Sequence, residues 1–309
     1  MNTILFAHPA CADHDPGPGH PERADRLRAI LGALEGETFA PLDRREAPLA
    51  GLDRIALAHP RGHADRILAA VPDHGYRAVD ADTVLSPGSG EAALRAAGAV
   101  CAAVDAVVAG QARNAFCAVR PPGHHAESAR AMGFCLFNNV AVGAAHARAA
   151  HGIRRVAVVD FDVHHGNGTQ DIFWSDDALF YASTHQSPLY PGTGSADQTG
   201  VAHNILNVPL QPHDGSPEFR HAMTATVLPA VEAFGPELLM ISAGFDAHAR
   251  DPLANLELTD DDFAWATAKL AALAARVCGG RVVSSLEGGY DLNALATSCA
   301  AHVKALMVA

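Results

Sequence analysis

The sequence predicts an α/β protein, a three-layer sandwich in which a mostly parallel central sheet is flanked by helices. Three observations carry this. Short strand-type runs recur at Ile4–Ala7, Ala115–Val119, Val156–Asp160, Leu179–Ser183, Leu238–Ser242 and Val282–Leu286. Longer helical patterns separate them, which is the alternation that yields parallel strands covered on both faces. Four of the runs lead straight into polar clusters at their carboxyl ends, the edge at which open α/β sheets bind ligands.

The helical elements carry ordinary signals. The segment from Pro21 to Leu34 starts on Pro and Glu, and that from Thr259 to Gly279 has three acids in its first turn and closes on glycine. Glu91–Ala109 is rich in Ala and Val all round, which predicts a buried helix. His185–Asn204 is rich in Gly, Pro and Ser and is expected to be one long functional loop. With 309 residues, 49% of them hydrophobic, the chain can bury a large core, and residues 1–309 are expected to form a single catalytic domain.

The formal net charge of -12 argues against a phosphate-neutralising grip on nucleic acid. Neither a signal peptide nor an apolar run long enough to span a bilayer is expected. Six cysteines occur without a CxxC pair, the pattern of reduced thiols in a cytoplasmic protein. Oligomeric state is left open, a homo-oligomer included.

The run VAVVDFDVHHGNGTQ, Val156 to Gln170, ends a buried strand in groups that are costly to bury. Asp160, Asp162 and His164 are spaced by two, so on extended backbone they face one side. Carboxylate and imidazole together suit Zn²⁺ or Fe²⁺ better than Ca²⁺. A bland alternative, aspartates capping a turn beside surface histidines, leaves four ionisable groups next to VAVV unexplained. A catalytic zinc takes three protein ligands, and Asp246 in ISAGFDAH is the best third, although alone it would read as a helix N-cap. His124 and His125 follow the rigid turn PPG, and tandem imidazoles beside a metal offer a general base and an electrostatic partner. Asp160 can orient His124, and Asn167 can orient His125. Tyr290 follows Gly288 and Gly289, where the backbone can approach a bound molecule and a phenol can donate to an oxyanion. His165 is expected to pack or bond to backbone, Cys135 to stand beside the channel without a catalytic task, and His63, His74 and His221 to be solvated.

Together RPPGHHAE, GFCLFNN, DFDVHHGNGTQ, PGTG, SAGFDAH and LEGGYDL resemble the histone deacetylase family, in particular its class II and bacterial amidohydrolase-like branch, in the family's order from His20 to Tyr290. The resemblance implies the arginase/deacetylase fold, one catalytic Zn²⁺ and hydrolysis of an N-acyl amide. It implies Asp162, His164 and Asp246 as metal ligands, His125 as general base and later acid, and Tyr290 as the group polarising the scissile carbonyl. It further implies a structural K⁺ near Asp160, Asp162, His164, Ser183 and Thr184. Gly133, Phe134 and Tyr190 become walls of an acyl channel, Arg23 an internal-channel arginine and Asp82 a rim acid. Leu253 stands where the polyamine-selective branch has a glutamate, which favours acyl-lysine over an acetylpolyamine as substrate. An arginase-like dimanganese ureohydrolase would want FDxD where this chain reads FDAH, and a non-catalytic acyl-lysine binding module would not need every catalytic position filled.

Overall fold

A computed structural model of the chain describes residues 2–309. The strands are β1 (Thr3–Ala7), β2 (Asp43–Glu46), β3 (Arg77–Ala78), β4 (Val84–Leu85), β5 (Asn114–Cys117), β6 (Val156–Asp160), β7 (Leu179–Gln186), β8 (Ile205–Leu210), β9 (Leu238–Ala243) and β10 (Val282–Leu286). The helices are α1 (Ala24–Ala33), α2 (Leu52–Ile55), α3 (Arg61–Ala70), α4 (Ser89–Val108), α5 (Asn139–His151), α6 (Asn167–Phe173), α7 (Ser216–Ala222), α8 (Leu228–Phe234), α9 (Asp260–Val277) and α10 (Leu292–Val308).

Eight strands form one sheet in the order β2-β1-β5-β10-β9-β6-β7-β8, and every pairing in it is parallel. Strands β3 and β4 form a small antiparallel ladder of their own. Parallel strands need covering on both faces, and β5, β6, β9 and β10 are buried at every residue. Helices α4 and α5 pack on each other and over the strands, while α10 packs between α1 and α9 in a second layer. The edge strand β2, DRRE, alternates half-buried and exposed residues, the pattern of a strand with charges on its outer face.

Strand β6 ends at Asp160, in register with Ser183 of β7 and Ser242 of β9. The chain segments following β5, β6, β9 and β10 therefore leave the sheet at one edge, and these segments carry the histidines, aspartates and tyrosine singled out above. Helix α9 begins with a capping box between Thr259 and Asp262, and α5 is capped by the Asn138 side chain and closed by Gly152 in a left-handed conformation. Two expectations need correction. The segment from His185 to Asn204 is not all loop, because β7 runs on to Gln186 against β8. His63 is not solvated: it is buried on the inner face of α3 with its Nε2 3.0 Å from the Leu136 carbonyl oxygen.

Candidate metal centre and active site

The Asp160-Asp162-His164 segment turns sharply after β6. Backbone N–H groups of Asp162 and His164 donate back to the carboxylates of Asp160 (3.1 Å) and Asp162 (2.9 Å). These bonds fix the two-residue spacing as geometry. Asp246 enters from the segment after β9 and accepts the Val163 N–H at 2.9 Å, which ties the two strand ends together. Ligating atoms of Asp162, His164 and Asp246 all lie within 4.8 Å of one another, and all three residues are buried.

The donor set fits a divalent cation. A single nitrogen, His164 Nδ1, stands 3.2 Å from Asp162 Oδ1 and 3.1 Å from Asp246 Oδ2. One N–H can satisfy only one of these well, whereas a cation between them satisfies all three groups. Burial alone would lower the His164 imidazole, but its bonds to Asp162 and Asp246 outweigh it and lift the ring to about 10. Gly288 completes the cradle: its N–H donates to Asp162 Oδ2 at 2.8 Å, and a Cβ at this position would sit on the carboxylates of Asp246 and Asp162.

Both predicted orienting pairs form. His124 Nδ1 is 3.0 Å from Asp160 Oδ2, and His125 Nδ1 is 2.9 Å from Asn167 Oδ1. The Asn167 amide nitrogen in turn donates to Glu127 at 2.8 Å, so its oxygen is the end presented to His125. His125 must then donate from Nδ1, leaving Nε2 as the basic atom. The two rings sit in different fields. For His124 the cost of burial is outweighed by Asp162 and Asp160, which hold it near 10. For His125, burial and then the neighbouring charges of His124 and His164 hold it well below the usual imidazole range. Burial and the surrounding charges thus push the two rings in opposite directions.

A cavity of about 210 Å³ opens over these groups, lined by Asp82, His125, Gly133, Phe134, His164, Leu189, Tyr190, Leu253 and Tyr290. Gly133 has φ +57°, and a Cβ there would run into the His125 ring. Phe134 also has positive φ, 68°, and the backbone N–H groups of this pair donate to Asp82 Oδ1 and Thr83 Oγ1, each at 3.0 Å. Asp82 therefore holds the channel wall as well as lining it. Burial pushes the Tyr290 phenol well up, so it is a neutral donor, although the Arg26 guanidinium lies 4.9 Å from its ring centroid and opposes the shift.

Arg23 is not the internal arginine. Its side chain is 51% exposed and faces Asp25, whereas Arg26, one helical turn on, is fully buried and donates to the backbone oxygens of Gly289 (2.6 Å) and Glu287 (2.5 Å). The cause is helical phase: in α1 the buried face carries Arg26, Leu27 and Ile30. Glu22 supplies the counter-charge to Arg26 and to the buried Arg120. Gly288 and Gly289 lie behind the ligands, where their backbone groups bind Asp162 and Arg26, and neither lines the cavity. Of the groups around Asp160, Ser183 Oγ is taken up by His185 Nδ1 at 2.9 Å, while the Thr184 hydroxyl is buried with no hydrogen-bond partner among the described residues. His165 bonds to the side chains of Thr193 (2.8 Å) and Gln170 (3.0 Å), not to backbone. His248, where a ureohydrolase would carry an aspartate, stands 3.6 Å from Asp260 and outside the ligand cluster.

Two residues without a predicted role support the site, one of them Glu287, which opens the polar cluster EGGYD at the end of β10. Glu287 accepts the N–H groups of Gly123 (2.6 Å) and His124 (3.1 Å), fixing the tandem histidines from beneath, and burial raises it to about 7. Tyr181 of β7 donates to Asp160 Oδ2 at 2.9 Å and accepts the Gly166 N–H. Both contacts join residues far apart in the chain, which no local pattern reports.

The histone deacetylase domain matches residues 20–306. The chain belongs to the histone deacetylase family. It is 43% identical over 92% of its length to a histone deacetylase-like amidohydrolase of Pseudomonas aeruginosa, 74% of which is covered. It is 40% identical over 98% of its length to histone deacetylase 10, chloroplastic, of Oryza sativa, covering 73% of that protein, and 39% identical over 98% to a probable deacetylase of Methanothermobacter thermautotrophicus, covering 90%. The crystal structure of the HDA15 HD domain superposes with a TM-score of 0.94 at 36% identity, covering all of this chain and 88% of that one. The parallel eight-stranded sheet flanked by helices is thus the fold of a histone deacetylase domain.

Proposed function

We propose that the chain is a zinc-dependent amidohydrolase, a single catalytic domain that removes an acyl group, acetyl in the first instance, from the amine of acyl-lysine or a similar N-acyl amine. The observation that carries this reading is the convergence of Asp162, His164 and Asp246 below a cavity into which His125 and Tyr290 both face. Family members named histone deacetylase-like amidohydrolase and probable deacetylase support the reaction class.

A divalent zinc held by Asp162, His164 and Asp246 would supply Lewis-acid polarisation of the amide carbonyl and a more acidic water, with Fe²⁺ an alternative for the same donors. His125, neutral and with Nε2 free, takes the proton of the attacking water and later gives it to the departing amine. His124, tethered through Nδ1 to Asp160 at 3.0 Å and with Nε2 3.8 Å from Asp162, is the electrostatic partner of His125 and moves no proton. Tyr290 donates from its un-ionised phenol to the developing oxyanion, at a position set by Arg26 and by the Asp251 carboxylate, which accepts the Tyr290 N–H at 2.7 Å. Phe134, Leu189, Tyr190 and Leu253 give the cavity apolar walls suited to an aliphatic stem.

Leu253 on the cavity wall supports acyl-lysine over an acetylpolyamine, since a polycation would prefer a carboxylate there. A potassium ion beside Asp160, Ser183 and Thr184 is part of the proposal, supported by the unpartnered Thr184 hydroxyl. Six buried free cysteines suit a reducing compartment such as the cytoplasm. Among the described residues no helix is long and apolar enough to cross a membrane. The test is turnover by zinc-reconstituted protein across acetyl-lysine peptides, longer acyl-lysines, acetylpolyamines and small amides. Highest kcat/KM on acyl-lysine peptides is expected, and an inert protein across the whole panel would refute the reading.

A further inference from the structure

A second group of ligating side chains stands at the far end of α5. The N-terminus of α5 lies beside the active site, where Asn138 and Asn139 bond to Ala126 and Pro121. At 1.5 Å per residue the helix carries His151 roughly 18 Å further along. There the Nε2 atoms of His146 and His151 both stand 2.6 Å from one oxygen, Oδ1 of Asp105 on α4. The rings are perpendicular, with centroids 5.7 Å apart, so the nitrogens converge while the rings do not stack. Ligating atoms of all three residues fall within 4.8 Å of one another, the same closeness as in the active-site cluster.

We propose that Asp105, His146 and His151 form a second metal site, for a late first-row divalent cation such as Zn²⁺ or Cu²⁺, that staples the ends of α4 and α5 together. Three lines of geometry support it. Two imidazoles and a carboxylate are a donor set these ions favour. Asp105 lies in the last turn of α4 and His151 is the last residue of α5, so the carbonyl ends of two helices contribute negative potential at the same place. His146 is buried and gives the site a fixed donor, while His151 is exposed and can rotate. An ion at about 2.0–2.2 Å needs nitrogen–oxygen separations of about 2.9 Å in square-planar and about 3.4 Å in tetrahedral geometry, so the present 2.6 Å must open by roughly 0.3–0.8 Å, a movement the exposed His151 ring can make. Three protein donors leave a fourth position open to water.

The test compares metal uptake by the full chain and by His151→Asn and Asp105→Asn in equilibrium dialysis against micromolar Zn²⁺, with His221→Asn as a control for exposed histidines. Wild type is expected to hold one equivalent more than either site variant and the same as His221→Asn, with amide hydrolysis unchanged in His151→Asn. Cu²⁺ should bind more tightly than Zn²⁺, and its paramagnetic resonance should show coupling to two imidazole nitrogens that falls to one in His151→Asn. Equal uptake by wild type and both site variants, or loss of the extra equivalent in His221→Asn, would overturn the proposal. The readout is a difference between proteins sharing one active site, so it stands whether or not that site holds zinc.

Discussion

At the floor of the active site Asp160 and Asp162 are fully buried, and both accept hydrogen bonds from named backbone or side-chain donors. At its mouth Tyr190 keeps 39% of its surface exposed, and the walls come from turns around Asp82, Gly133 and Leu253 that lie outside the central sheet. The floor is set by short segments directly after strand ends in register, pinned by buried hydrogen bonds, so moving a proposed ligand breaks those bonds. The mouth is set by loops, which tolerate change. On the proposed function, reaction chemistry and substrate choice fall to parts of different rigidity, and substitutions in the two regions should fail in different ways.

The largest effect is expected from Asp246→Ala. It removes one carboxylate of the proposed ligand set and the acceptor of the Val163 N–H, so one equivalent of bound metal and all turnover should be lost together, as elemental analysis of the purified protein and an acetyl-lysine assay would show. Next, Tyr290→Phe should keep the metal and lower kcat by about 10²- to 10³-fold, the cost of one oxyanion donor; full turnover would remove Tyr290 from the mechanism. A smaller loss, about 10- to 100-fold in kcat, is expected for Asn167→Ala, which frees the His125 tautomer without touching a metal ligand. At the mouth the effect should be smallest and selective. Leu253→Glu should leave acetyl-lysine kcat nearly unchanged and improve kcat/KM for acetylpolyamines by roughly fivefold, a partly exposed charge pair being worth about 1 kcal/mol. Equal effects of Leu253→Glu on both substrates would blur the division between floor and mouth.

The floor was also the part most legible in the sequence. Strands β6 and β10 match their expected bounds because VAVV and VVSSL are continuous buried runs ending at sharp polar boundaries. The DxDxH spacing does bring Asp162 and His164 together, but through a turn held by backbone bonds to Asp160 and Asp162 rather than on extended strand. Strands β2 and β8 were not legible: DRRE is an edge strand with no apolar pattern, and ILNVPL carries Asn and Pro within a strand paired along one side only. For Arg23 the motif resemblance and for His63 the residue type point one way, and helical phase points the other. Arg26 follows its partner Glu22 by four residues, and His63 shares a buried face with Ala64 and Ile67, so periodicity carried the signal in both cases. Glu287, Tyr181 and Arg120 act across the sheet, through contacts that exist only once the strands are paired.

The central claim is that one divalent cation, held by Asp162, His164 and Asp246, serves the reaction alone. Stepwise reconstitution of metal-free His151→Asn protein, which keeps the active site and lacks the second site, with Zn²⁺, followed by turnover of an acetyl-lysine peptide, tests it most directly. Turnover should rise in proportion to added zinc and level off at one equivalent, with no further gain as more is added. Activity that needs two equivalents of manganese, or that never appears with zinc, would contradict it.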